Sequence, residues 1–107
     1  MTALRTRLPN RRPSTTFTFG CGAHQYIATV SYFPTGELAE IFLGNGRAGS
    51  HLDAAAKDSA AVASIGFQYG IPVDVIRRAL LRDSQGAPSS PLGAALDVIA
   101  GEDGDSP

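Results

Sequence analysis

The chain has 107 residues, nine lysines and arginines against ten aspartates and glutamates, and a formal net charge of −1. That length suits one small domain, which buries roughly two-thirds of its unfolded surface without a disulfide or structural metal. Near-neutrality argues against a dedicated nucleic-acid binder.

The one cysteine, Cys21, excludes an intrachain disulfide. No apolar run reaches the roughly 18–20 residues of a membrane span. The N-terminal arginines precede no apolar segment of signal-peptide type. A soluble, cytoplasmic protein without a membrane partner is the expectation.

Residues 1–13 hold Arg5, Arg7, Arg11 and Arg12 with no apolar periodicity, which reads as a flexible basic arm. Thr15 to Phe19 alternates threonine with phenylalanine, a short strand signal. Gln25 to Phe33 continues the period of two and sets Tyr26, Ala28, Val30 and Tyr32 on one face. Pro34-Thr35-Gly36 supplies turn chemistry, and Glu37 to Leu43 resumes an extended pattern. These runs predict an antiparallel hairpin or meander of two or three strands.

Ser50 is placed to cap a helix, with Asp53 three residues on in a capping arrangement. Through about Tyr69, the apolar periodicity assigns Leu52, Ala55, Ala56, Ser59, Val62, Ala63, Gly66 and Phe67 to the buried face. Asp53, Lys57, Ser64 and Gln68 fall on the opposite side, with Asp53 and Lys57 spaced to pair.

Gly70 stops this helix and Pro72 starts a second, whose apolar stripe is Val75, Ile76, Ala79 and Leu80. After a loop over residues 84–90, Pro91 opens a third helix with Leu92, Ala95, Leu96 and Ile99 recurring at helical spacing. Residues 101–107, with Glu102, Asp103 and Asp105, read as an acidic disordered tail. Strands first and helices after, without β-α-β alternation, define an α+β domain: a small antiparallel sheet of two or three strands, followed by three helices packed on one face.

The stretch "FLGNGRAGSHL" contains G-x-G-x-x-G between the third extended run and the first helix. A dinucleotide fingerprint requires a second parallel strand after the helix, and here another helix follows. A P-loop requires lysine after its last glycine, and Ser50 stands there. What survives is an anion site for phosphate or nucleotide, from backbone N–H groups at a helix start with Arg47 as the cation. Its candidate residues are Gly44, Asn45, Gly46, Arg47, Gly49 and Ser50, against the alternative that the glycines serve only turn geometry.

Cys21, His24 and His51 are too few for a tetrahedral metal site, and no third group orients a Cys21–His24 nucleophile. No metal and no catalytic residue is assigned. Ala61 to Leu80 has helix-turn-helix spacing, and Arg77, Arg78 and Arg82 are expected on its second helix. A recognition helix reads bases with its N-terminal residues, and here those include Asp74, which is better placed to pair with Arg77 or Arg78. DNA is disfavoured as a partner.

The runs "TFGCGAHQYIATVSY", "TGELAEIFLGNGRAGSHLDA" and "VASIGFQYGIPVDVIRRALLRDSQGAPSSPLGAALDVI" resemble the TSCPD domain over residues 14–100. That family occurs at the C-terminus of adenosylcobalamin-dependent (class II) ribonucleotide reductases and as small standalone proteins. One departure is clear: where the family has cysteine, proline and aspartate, this chain has Ser90, Pro91 and Leu92.

The resemblance implies a standalone accessory or nucleotide-binding part of deoxyribonucleotide synthesis. Its implied partners are a ribonucleotide reductase catalytic subunit, to which adenosylcobalamin would belong, and a nucleotide. Reductase chemistry in that family takes a radical cysteine and a redox-active cysteine pair in a large barrel, which one cysteine cannot supply. Whether the chain is itself an enzyme stays open. The alternatives are a protein-interaction module without nucleotide and a helix-turn-helix DNA binder. An unpaired sheet edge and an alanine-rich helix stripe also leave room for a homodimer.

Overall fold

A computed structural model describes residues 4–9, 13–46 and 50–101. Arg11 and Arg12 of the N-terminal arm, Arg47 and Gly49 of the glycine loop, and Glu102, Asp103 and Asp105 of the tail lie outside the described residues. The alternating runs form three antiparallel strands in the order β1 (Ser14–Cys21), β2 (His24–Tyr32) and β3 (Leu38–Gly44). Three helices follow: α1 (His51–Gln68), α2 (Val73–Ala79) and α3 (Pro91–Ile99). The α+β meander with its helices packed together is therefore the observed architecture.

The β1–β2 connection is a two-residue turn. Gly22 takes φ +61° at its first central position, which an L side chain would resist. Register runs unbroken from Ser14 opposite Ser31 to Cys21 opposite His24. Between β2 and β3 it shifts at Ser31/Tyr32. A bulge of this kind re-aims side chains, and it corrects one expectation: Tyr32 is exposed, whereas Ser31 is buried.

One face of the sheet carries Phe19, Tyr26, Ala28, Val30, Ile41 and Leu43 into the core. Ala56, Ala60, Ala63 and Phe67 of α1 meet them, and Leu92, Ala95 and Leu96 of α3 close the layer. The alanines bring α1 close to the strands. Helix ends follow their sequence signals. Ser50 accepts the Asp53 N–H at 3.0 Å, and Ser90 accepts the Gly93 N–H at 3.3 Å ahead of Pro91. Gly70 leaves α1 with φ +94°. Gly66 is needed for a different reason, because a Cβ there would lie 3.3 Å from both Ile71 Cδ1 and Ile76 Cδ1.

The buried face of α1 is rotated from the expected one. Leu52 and Val62 are exposed, Val62 to 71%. Asp53, Ser64 and Gln68, expected in solvent, are buried. The cause lies in β3, an edge strand whose outward backbone groups have no strand to pair with. Ser64 Oγ accepts the Ile41 N–H at 2.8 Å and donates to the Ile41 carbonyl at 3.0 Å. Gln68 Nε2 donates to the Ala39 carbonyl at 3.1 Å, and Asp53 Oδ1 accepts the Asn45 N–H at 3.0 Å. Residues 53, 64 and 68 share one face of a helix, and residues 39 and 41, with Asn45 just past the strand's end, lie along one side of β3. The helix thus replaces the missing strand.

Gln68 also ties the chain start to this edge. Arg5 Nε donates to Gln68 Oε1 at 2.6 Å, and the Thr6 N–H donates to the Gln68 carbonyl at 2.7 Å.

Ser64→Ala leaves both backbone groups of Ile41 buried without their partner, so it should cost about 1–3 kcal/mol in urea denaturation. Val62→Ala, on the face once expected to be buried, should change stability by less than about 0.5 kcal/mol. A larger effect at position 62 than at position 64 would contradict this packing.

Candidate functional site

The glycine loop leaves β3 at half-buried Gly44 and turns at Gly46, whose φ is +78°. Asn45 hands its N–H to Asp53, and Ser50 caps α1. Asp53 Oδ2 lies 2.8 Å from Lys57 Nζ in an i,i+4 ion pair. Lys57 first, and then the Asn45 N–H, hold the Asp53 carboxyl below the usual carboxylate range against the opposing effect of burial. An anion belonging to the chain itself therefore sits at the N-terminal turn of α1, where the helix dipole favours negative charge. Of the six loop candidates, Gly44, Asn45, Gly46 and Ser50 are brought together here.

Beside the loop, Ile27 and Phe42 on the sheet's outer face, Gly46 and Lys57 line a shallow groove of about 390 Å³. Ile27 and Phe42 are 46% and 55% exposed, so the sheet face away from the helices is open.

Cys21 ends β1 opposite His24. Burial pushes its thiol pKa upward, which keeps the sulfur protonated and poorly nucleophilic at neutral pH. Among the described residues, no three His, Cys, Asp or Glu side chains group as metal ligands. Likewise, no described helix is long and apolar enough to cross a membrane.

The second charged cluster joins α2, the loop after it and α3. Helix α2 ends at Ala79, so Arg82 lies beyond it rather than on it. Arg82 grips Asp97 with both guanidinium ends, Nη1 to Oδ2 at 2.9 Å and Nη2 to Oδ1 at 2.7 Å. Arg77 Nε adds a 2.8 Å bond to Oδ1, and Asp74 approaches Arg77 at 3.8 Å. Arg82 foremost, and then Arg77, hold the buried Asp97 carboxyl below its ordinary range. Two of the three arginines considered for DNA reading are thus engaged by Asp97 of the protein itself.

Sequence reasoning missed Asp97, Ser64 and Gln68. The available signals were an acidic residue in an otherwise apolar helix, and polar residues at helical spacing along α1 facing an edge strand.

These features define a small α+β domain whose helix docks on a sheet edge through polar side chains. Over 72 residues the chain is 33% identical to the vitamin B12-dependent ribonucleotide reductase of Rhodopirellula baltica, a match covering 67% of this chain and 7% of that protein. It is 38% identical over 72 residues to the vitamin B12-dependent ribonucleotide reductase of Streptantibioticus cattleyicolor, covering 66% of this chain and 12% of that one. The protein of the same name from Agrobacterium fabrum is 33% identical over 70 residues, covering 65% and 6%. Part of the chain is therefore homologous to vitamin B12-dependent ribonucleotide reductases, and the chain spans only a small fraction of their length. No protein-family profile matches the chain. No solved structure matches it either.

A carboxyl with a lowered folded pKa stabilises the fold above its ordinary value and loses that contribution as pH falls through the lower folded value. Asp97 and Asp53 both have this sign. The melting temperature should be level near neutrality and fall below about pH 4. Asp97→Ala, which removes the carboxylate that Arg77 and Arg82 share, should cost about 1–3 kcal/mol at pH 7 and flatten the acid limb. Thermal melts across pH check both.

Proposed function

We propose that this chain is an accessory, non-catalytic module of TSCPD type, acting beside a vitamin B12-dependent ribonucleotide reductase in the supply of DNA precursors. The observation that carries the reading is the pattern of similarity. About two-thirds of this chain matches those reductases, yet the match covers only 6–12% of the relatives compared. The half-buried thiol of Cys21, the one cysteine of the chain, agrees with a role that leaves radical and dithiol chemistry to the larger protein.

A nucleotide contact at Gly44, Asn45, Gly46, Arg47, Gly49 and Ser50 is the finer form of this reading. In its favour, the Lys57 side chain beside the loop is 58% exposed and carries a positive charge, shared with Asp53. Against it, Asp53 already takes the Asn45 N–H, and an incoming phosphate would have to share that corner with a carboxylate.

Purified chain mixed with a vitamin B12-dependent reductase catalytic subunit from the same organism should co-sediment with it and change its turnover. Alone, with adenosylcobalamin and ribonucleotide, the chain should form no deoxyribonucleotide. Failure to associate at any ionic strength would overturn the accessory role. Nucleoside di- and triphosphates should raise the melting temperature, and Arg47→Ala should remove the rise. A flat response would eliminate the loop contact while leaving the accessory role standing.

A further inference from the structure

The two edges of the sheet are treated differently. On β3, side chains of α1 satisfy the outward backbone groups of residues 39, 41 and 45. The register then fixes which groups of β1 point outward. Ile41 bonds away from β2, so Val30 opposite it bonds toward β1, as do Ala28 and Tyr26. Their partners Thr15, Phe17 and Phe19 bond inward, and Ser14, Thr16, Thr18 and Gly20 present their N–H and C=O groups to the outside. The Thr16–Thr29 hydroxyl contact at 3.1 Å fits this phase, because side chains approach most closely at non-hydrogen-bonded pairs.

Edge strands are ordinarily blunted by charge, proline, a bulge, shortness or a cover. Strand β1 is eight residues long, carries no charged residue and pairs with β2 without a register break. Among the described residues, no other element donates or accepts a backbone hydrogen bond along it. Phe17, on the core side of this edge, is only half-buried.

We propose that β1 pairs with β1 of a second copy across a two-fold axis at Phe17, extending the meander to a six-stranded antiparallel sheet. Centred there, Thr16 faces Thr18 of the partner and Ser14 faces Gly20. All four outward residues of each strand are used, giving about eight hydrogen bonds. The two Phe17 residues fall at the closely spaced, non-hydrogen-bonded pair, which covers their exposed flanks with an aromatic contact. Charge selects a copy of this chain over a charged strand. Two uncharged edges meet with no like charges opposed, whereas a charged strand would find no counter-ion on β1. The contact is one strand wide, smaller than the roughly 800 Å² per partner of a standard interface, so the dimer is a concentration-dependent one.

Sedimentation equilibrium of the whole chain from micromolar to millimolar concentration tests this. The wild type should pass from monomer to dimer. Thr18→Pro removes an outward N–H that the chain's own sheet does not use, so it should weaken association at least ~10-fold while leaving the far-ultraviolet spectrum and cooperative melt intact. Should Thr18→Pro fail to fold, Thr18→Lys, which puts a charge on the edge and keeps the N–H, should weaken association in the same way. A wild type monomeric throughout overturns the proposal, as does a dimer that the folded edge variant leaves unchanged.

Discussion

The backbone of an edge strand must find hydrogen bonds, and β3 finds them on a helix. Buried N–H and C=O groups left unpaired cost as much as the rest of a small domain can offset. Ser64, Gln68 and Asp53 remove that cost with side chains directed at Ile41, Ala39 and Asn45. Everything else about α1 follows from this orientation. Its alanines meet the sheet, its larger apolar residues Leu52 and Val62 turn outward, and the Asp53 carboxylate arrives in the glycine loop.

The same orientation explains where sequence reasoning succeeded and where it did not. Strand periodicity, the Ser50 and Ser90 caps, the stop at Gly70 and the three-helix order are local, and each was legible because its physics lies within a few residues. The face of α1 was not. Periodicity ranks positions by hydrophobicity, and it assigned Leu52 and Val62 to the core and Ser64 to solvent. Tertiary hydrogen bonding reversed that ranking, since the Ile41 N–H and C=O would each cost about 1–3 kcal/mol if buried without the Ser64 hydroxyl. The exposure of Tyr32 escaped for a related reason: a register shift depends on a partner strand that periodicity does not see.

The candidate site was legible in part. The strand–loop–helix around Gly44 and the Ser50 cap could be anticipated, as could the Asp53–Lys57 pair. The inward turn of Asp53 could not, because it depends on the Asn45 N–H across the loop. Nor could the fixing of α2. This short helix has no fully buried residue: Val73 and Ile76 pack against the core, Arg77 ties it to Asp97 of α3, and Arg82 of the following loop grips the same carboxylate. Arginines that resemble a nucleic-acid surface in one dimension are structural ties in three.

Ser64 has a further consequence, for loop length. Its hydroxyl donates and accepts at a single residue of β3, which neither an alanine nor a glutamine can imitate at that distance. Sliding α1 one turn along the strand would bring Ala60 or Gln68 opposite Ile41 and break the match. The helix is keyed to the strand, so Asn45 to Ser50 cannot gain or lose a residue and have the change absorbed by slippage.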